Sequence, residues 1–426
     1  MTASVPFRDL KPRQWRNLAL AAVAAFFLIQ FAVEIYWQNT CGHLAIDYCT
    51  FWSAGTIANH YGYARVYDLD LMSTIQKTIF PPAGDLANFA VVPTPYLPVF
   101  ILPFQVFALL APTVGFWIWT AANLIVGLVY LRFFTLKIAK APLDGQLLAL
   151  LALSLPVFLN FFYGQVNVWL MICTGEFLRA SMSERPLRAG IWLGGLLVKP
   201  QSLILLVPAL LFQRAGKTLA GLAASSTVVL GTSLALMGTD GYRDLARLWF
   251  GYASGLPAAI GPQVMMNWRM IGMNLSGLIP AWSAWAIATI GLAITLLATA
   301  YLWRRRIDPG HYRFGVAVLG TLAATGLVSW HSHVSTSVIL IPALIYLAQP
   351  TNRLPTQVLL LWAFGPTLLY IALIGIDLAI HLGILGPGLN GLLNFLAGGG
   401  AFAVNVIFVI WAVKYMRQDS QGIPAV

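Results

Sequence analysis

Asp47 stands just beyond the outer end of an apolar segment and is followed by an aromatic run, Tyr48, Phe51 and Trp52, within the stretch Ala45–Asp70. An ionisable residue at a membrane boundary is costly to place, and a carboxylate there is competent to move a proton as an acid or a base. The competing assignment is structural, because Asp commonly caps the helix that follows it. Lys199, with Pro200, interrupts an otherwise apolar stretch, so its ammonium either faces the protein interior or snorkels to the headgroup layer. Arg269, in Asn267-Trp268-Arg269, is a second cation in a polar loop, either for an anionic ligand or as an ordinary interface arginine. His331 and His333 are two residues apart rather than at the helical i, i+4 spacing, and no nearby Glu completes a metalloprotease pattern; the pair is not read as a metal site. Gln165 and Asn167 offer amides that bind hydroxyls or pair backbone groups where a helix breaks.

Elements that position these groups must cross a bilayer. The chain has 426 residues, 59% hydrophobic and only 9% charged, against about 25% charged in soluble domains. It reads as an all-α integral membrane protein, a single polytopic domain over residues 1–426. The net charge of +11 comes from Lys and Arg placed mostly in short loops beside apolar runs, which implies positive-inside topology and contact with membrane lipids rather than nucleic acid. Arg8, Lys11, Arg13 and Arg16 form a basic cytosolic flank, and Asn17–Trp37 is an uncleaved first span. An outer loop over 38–95 follows, with short surface helices expected over Thr56–Tyr67 and Leu69–Ile79 and breaks at Pro81-Pro82 and Pro93-Thr94-Pro95. Cys41 and Cys49 bracket Asp47 as either a disulfide or two thiols.

Between 96 and 213 two arrangements stay open. If every apolar segment crosses once, Arg132, Lys137, Lys140, Arg185 and Arg188 fall outside, against the charge rule. Otherwise Tyr96–Leu110 or Ile191–Leu211 is re-entrant or a hairpin of half-helices. Beyond this, a second outer loop over 238–279 is bounded by Leu219–Met237 and Ala281–Trp303, and Arg304-Arg305-Arg306 marks the cytosol most strongly. Further spans over Phe314–Trp330, Ser335–Leu347 (followed by Arg353), Val358–Ile376 and Gly391–Val413 bring the total to about twelve, with both termini cytosolic. The two polar loops and the two histidines then share the outer face.

Asp47 with Phe51, Trp52, Ala54 and Gly55, followed by Tyr67-Asp68, resembles the D-x-x-x-F/Y-W-x-A-G and Y-D pattern of the bacterial polyprenyl-phosphate-sugar glycosyltransferases of family 87. In the same order, Pro95-Tyr96-Leu97-Pro98 resembles P-Y-P-P, and Gly164-Gln165 with Asn167 resembles G-Q-N with Val166 inserted. Arg185-Pro186 through Ala189-Gly190 to Lys199-Pro200-Gln201 resembles R-P-x-x-A-G-x-x-x-G-x-x-x-K-P-Q, and Ser329-Trp330-His331-Ser332-His333 resembles S-W-x-H-H.

The resemblance implies a GT-C-type multi-span helical bundle in the bacterial inner membrane, with juxtamembrane helices and the active site on the periplasmic or outer face. It implies inverting transfer of a sugar, mannose or arabinose, from a polyprenyl-phosphate donor to a cell-envelope glycan or glycolipid. Asp47 is then the general base, and Lys199, Arg269, His331 and His333 face the phosphate or sugar. Tyr48, Trp52 and Trp268 would stack on a sugar ring or form part of the aromatic belt. Gln165 and Asn167 would contact hydroxyls. No cofactor and no metal are expected. The alternative class, a transporter or lipid flippase, predicts midplane charges on several broken helices and a repeat between halves; no such repeat is evident, and the polar residues gather on the outer side.

Overall fold

The computed structural model describes residues 12–37, 40–80, 91–138, 145–254, 261–348 and 354–419. Expectations for Arg8, Lys11, Pro81-Pro82, Lys140 and Arg353 lie outside them. The described residues are helical, and their sole β feature is an isolated bridge between Thr40 and Leu44.

The first helix, α1 (Pro12–Tyr36), leads to α2 (Ile46–Tyr61) and α3 (Leu69–Lys77), which occupy the expected juxtamembrane stretch. Asp68 caps α3, accepting hydrogen bonds from the Asp70 and Leu71 amides, so this member of the Tyr67-Asp68 pair has a structural task. The Tyr96–Leu110 segment does not traverse the bundle. It contains a 3₁₀ turn (Pro98–Phe100) and the six-residue α4 (Leu102–Phe107), and both its ends are tied to the α2 region: the Tyr67 hydroxyl donates to Tyr96 O at 2.7 Å and Trp52 Nε1 to Leu110 O at 2.9 Å.

Next, α5 (Pro112–Ile138) runs the length of the bundle. Gly115 abuts the Tyr48 ring beside Asp47, whereas Phe133 lies under the Arg179 guanidinium at 5.6 Å. The chain returns through α6 (Gly145–Ala152) and α7 (Leu155–Phe162) and descends again in α8 (Asn167–Met182). Near its far end Glu176 pairs with Arg179, three residues on and on the same helix face, and Arg188 approaches the same carboxylate at 3.8 Å.

The stretch 186–212 is a hairpin. One arm comprises α9 (Pro186–Gly194) and a 3₁₀ turn; the other, a second 3₁₀ turn and α10 (Leu206–Phe212). Lys199 sits at the tip, where the following proline forces an extended backbone (φ −129°, ψ 82°) and ends the first arm. Gly190 and Gly194 on α9 meet Thr218, Leu222 and Ser225 of α11 (Gly216–Ser254), and Gly221 of α11 meets Leu187 in return. Two small-residue ladders thus bring the backbones together, which is how apolar helices gain packing where lipid offers no hydrophobic driving force. A Cβ at Gly190 would collide with the Thr218 carbonyl. Gly190→Ala is expected to lower stability by about 1–3 kcal/mol, read as a lower thermal unfolding midpoint in detergent.

The kink at Gly238 (φ 65°) turns the end of α11 so that Trp249 Nε1 donates to Pro95 O at 2.9 Å. The expected second loop is therefore largely helical, since α12 (Trp268–Leu275) completes it. Then α13 (Ala281–Leu302), α14 (Tyr312–Val328), a 3₁₀ segment with α15 (Ile341–Leu347), α16 (Thr356–His381) and α17 (Asn390–Asp419) close the bundle. Every residue from Phe314 to Leu327 is buried, so α14 is the central helix, apolar all round as such a position requires. Leu28, Ile290 and Leu368 are exposed on the outer helices, a surface suited to lipid.

Six helices among the described residues are long and apolar enough to span a membrane, and four shorter apolar helical segments have 10–17 residues. These six do not by themselves make up the expected count of about twelve spans. A helix rises about 1.5 Å per residue, so the shorter of the apolar segments do not match a hydrocarbon core of about 30 Å on their own, while α14, with 17 residues, is near the lower limit for spanning it. The hairpin also decides between the two arrangements left open for 96–213. Arg179, Arg188 and the carboxyl end of α5 with Arg132 and Lys137 gather at one end, joined by Gln213 to Arg305. Asp47 and Lys199 lie at the other.

Candidate active site

Asp47 occupies the first turn of α2 and is not its cap; that position belongs to Ala45, which makes no side-chain capping bond. The orphan amides at this helix start are satisfied by the end of another helix. Ala45 N donates to Phe162 O at 2.8 Å and Tyr48 N to Tyr163 O at 3.0 Å, so unpaired donors of α2 meet unpaired acceptors at the end of α7. Cys41 and Ala45 both adopt left-handed backbone (φ 71° and 64°), and a disulfide joins Cys41 to Cys49 across Asp47. The alternative of two thiols is thereby settled. Closing a loop with a sequence separation of 8 restricts the unfolded chain, and Cys41→Ser/Cys49→Ser is expected to cost roughly 2–3 kcal/mol, measured by thermal unfolding with and without reductant.

On the facing wall, Gly164 ends α7 in the left-handed conformation (φ 70°), and a side chain there would strike Tyr48 Cβ. That turn presents Gln165. Gln165 Nε2 donates to Asp47 Oδ2 at 2.6 Å, and its Oε1 accepts from Lys199 Nζ at 2.9 Å. Lys199 Nζ also donates to Asn167 Oδ1 at 2.9 Å. One amide therefore separates carboxylate from ammonium and bonds both. Lys199 is buried, with 5% of its surface exposed, whereas Asp47 is half-buried and opens onto a cavity of ≈ 270 Å³.

Asp47, Gln165, Lys199, His331 and His333 all line this cavity. Burial raises the Asp47 pKa above the ordinary carboxylate value, while the Gln165 hydrogen bond and the Lys199 charge pull it back. His331 and His333 bond each other through Nε2 at 2.9 Å, so one donates and one accepts. Burial, then the Lys199 and Arg269 charges, hold His331 down at about 4; burial, His331 and Lys199 hold His333 well below 6.5. Both rings are neutral at pH 7, so they serve as hydrogen-bonding groups rather than cations.

Several expected contacts are not made. Tyr48 is fully buried among Phe104, Phe107 and Phe116, so it is core and cannot stack on a sugar in the cavity. Trp52 turns its ring to Leu110 O, and Trp268 donates to Thr295 Oγ1; neither lines the cavity. Asn167, fully buried, holds Lys199 instead of facing a ligand. Arg269 stands behind the wall, its guanidinium 4.1 Å from the centroid of the Trp330 ring. The aromatic lining comes from Phe51, Tyr96, Trp249 and Trp330, and Gln201 joins it from the Lys199-Pro200-Gln201 run, donating to His331 O at 3.3 Å. Trp249 falls within the second outer loop and Trp330 within the Ser329–His333 motif, but no spacing in the sequence separates a lining tryptophan from an interface one.

The sequence profile of glycosyltransferase family 87 matches residues 94–329. The chain belongs to that family. The matched region carries Gln165, Lys199, Gln201 and Arg269; the two histidines lie just beyond its end, whereas Asp47 lies well before its start at residue 94. No curated protein and no solved structure matches the chain. As a family 87 member with multiple apolar helices, it is a multi-pass membrane glycosyltransferase.

Proposed function

We propose that this family 87 enzyme transfers a sugar, mannose in the first instance and arabinose in the second, from a polyprenyl-phosphate donor to a cell-envelope glycan or glycolipid. The observation that carries the proposal is a carboxylate and a buried ammonium on one cavity, held apart by the Gln165 amide. A hydroxyl of the acceptor attacks the anomeric carbon, Asp47 takes its proton, and the bond from that carbon to the phosphate oxygen breaks. The departing phosphate gains charge as it leaves, and Lys199 is the cation lining the cavity that meets it. Asp47 is the sole carboxylate among the lining residues, which favours direct displacement with inversion over a covalent intermediate. A volume of ≈ 270 Å³ suits a sugar phosphate, and Tyr96, Trp249 and Trp330 in its lining offer apolar surface to the start of the lipid tail.

The architecture proposed with it is GT-C-like. The passes through the bundle number about twelve when the short broken helices and both hairpin arms are counted with the long ones. The gathering of arginines at the end opposite Asp47 supports, by the positive-inside rule, a reading in which the cavity faces the outer side of the inner membrane. The test is an assay of the purified protein with polyprenyl-phosphate-mannose and polyprenyl-phosphate-arabinose. Transfer from either is the expected result; no transfer from any lipid-phosphate sugar, with movement of a substrate across liposomes instead, would overturn it.

A further inference from the structure

A second polar cavity, of ≈ 230 Å³, lies at the arginine end, remote from Asp47. Arg304, Arg305, Arg306 and Arg313 line it together with Asp308 and His311. A charge bias needed only for topology leaves arginines splayed from a loop into water. Here the loop is folded back and pinned. Gln213, at the end of α10, donates through Nε2 to Trp303 O at 2.7 Å and to Arg305 O at 2.9 Å, and its Oε1 accepts from Ile307 N at 2.9 Å. Trp303 is itself anchored, donating to Thr321 Oγ1 at 2.8 Å on the central helix. Arg304 lies over the Tyr301 ring at 3.6 Å and donates to Tyr301 O at 3.1 Å.

Four arginines thus line one concavity, and Asp308 is the one carboxylate among its described lining residues. Asp308 is turned into its own loop, where Oδ1 accepts from Gly310 N at 2.9 Å. The amino end of α14 opens on the same cavity, and Arg313 N there donates to His311 Nδ1 at 3.2 Å. A helix start of this kind adds positive potential to that of the arginines. Guanidinium is the side chain whose fork matches phosphate oxygens, and the volume fits a headgroup better than a whole ligand.

We propose that this cavity is a binding site for a phosphate group, separate from the transfer site, and that its occupant is either the headgroup of an anionic phospholipid or a soluble phosphate. Apolar Leu302, Ile307 and Met416 also line it, which gives a glycerol backbone somewhere to lie. Basic pockets between helices at this boundary hold anionic headgroups by the same combination of charge and adjacent apolar wall.

The experiment uses the full chain, delipidated in neutral detergent. Binding is measured by native mass spectrometry and by the thermal midpoint, with three probes: phosphatidylglycerol, phosphatidylcholine and glycerol 3-phosphate. Arg305→Gln/Arg306→Gln changes exposed side chains and should fold normally, with binding weakened roughly tenfold or more. Gln213→Ala releases the loop and should weaken binding while leaving all four charges in place. Binding of phosphatidylglycerol alone identifies a lipid site; binding of glycerol 3-phosphate as well, with mutual competition, identifies a phosphate site open to soluble ligands. Equal affinity for phosphatidylcholine, or unchanged binding in both variants, would overturn the proposal.

Discussion

Asp47→Asn is expected to lower the rate of sugar transfer by about 10²–10⁴-fold with little change in the thermal midpoint, the range general base catalysis commonly supplies. The substitution keeps the shape and an oxygen able to accept from Gln165 Nε2, so the first turn of α2 has no reason to move. What it loses is the basic oxygen. The pH profile supplies a second readout. The working form of Asp47 is the carboxylate, and burial raises its pKa, so activity should rise with pH along a limb above the ordinary carboxylate range and level off once Asp47 is ionised. His331 and His333 are held low and stay neutral over this range, so they add no limb near 6.5. Residual activity of Asp47→Asn should lack the limb altogether. Undiminished transfer by this variant would remove Asp47 as the base.

Much of this site was legible in the sequence for one physical reason: a charge in an apolar or membrane-boundary setting has few explanations. Asp47 and Lys199 stand out that way, His331 and His333 through the S-W-x-H-H resemblance, and all four share one cavity. Aromatic residues have no such economy. Tyr48 and Phe51 are three apart on α2 and both are buried, yet only Phe51 borders the cavity, because a helix packed against α4, α5 and α7 leaves little free surface. Hydropathy likewise registers the length of an apolar run but not its direction. Tyr96–Leu110 and Ile191–Leu211 both read as possible spans, whereas the first stays beside α2 and the second doubles back at Lys199-Pro200. The breaks were visible as prolines, and the misplaced arginines were the sign that a segment failed to cross. That one glutamine would bond both charged groups was not visible, since it depends on a left-handed turn at Gly164 and a hairpin tip brought together across the bundle.

Lys199→Met should separate two roles that the hairpin tip combines. An ammonium has three donors; two are taken by Gln165 Oε1 and Asn167 Oδ1, and Lys199 lines the cavity, so the third is available to a phosphate oxygen. Methionine has comparable length and no charge. It leaves two buried amide oxygens without their donor, which should cost about 1–3 kcal/mol each in stability. Loss of the cation should lower kcat by about 10²–10³-fold, as removal of one preorganised charge-stabilising donor does elsewhere. Because the charge on phosphate grows only as the bond breaks, kcat should fall more than KM rises, and a donor with a less basic leaving group should be less affected. The acid limb assigned to Asp47 should also move to higher pH, since the Lys199 charge is one of the influences that lowers its pKa. Lys199→Arg should not restore activity: the guanidinium is planar and larger, and the space between the two amides holds a compact ammonium. A lowered unfolding midpoint with kcat intact would make Lys199 only a strut. The geometry argues for more, because Gln165 keeps ammonium and carboxylate from neutralising one another, leaving one free to take a proton while the other receives the departing charge.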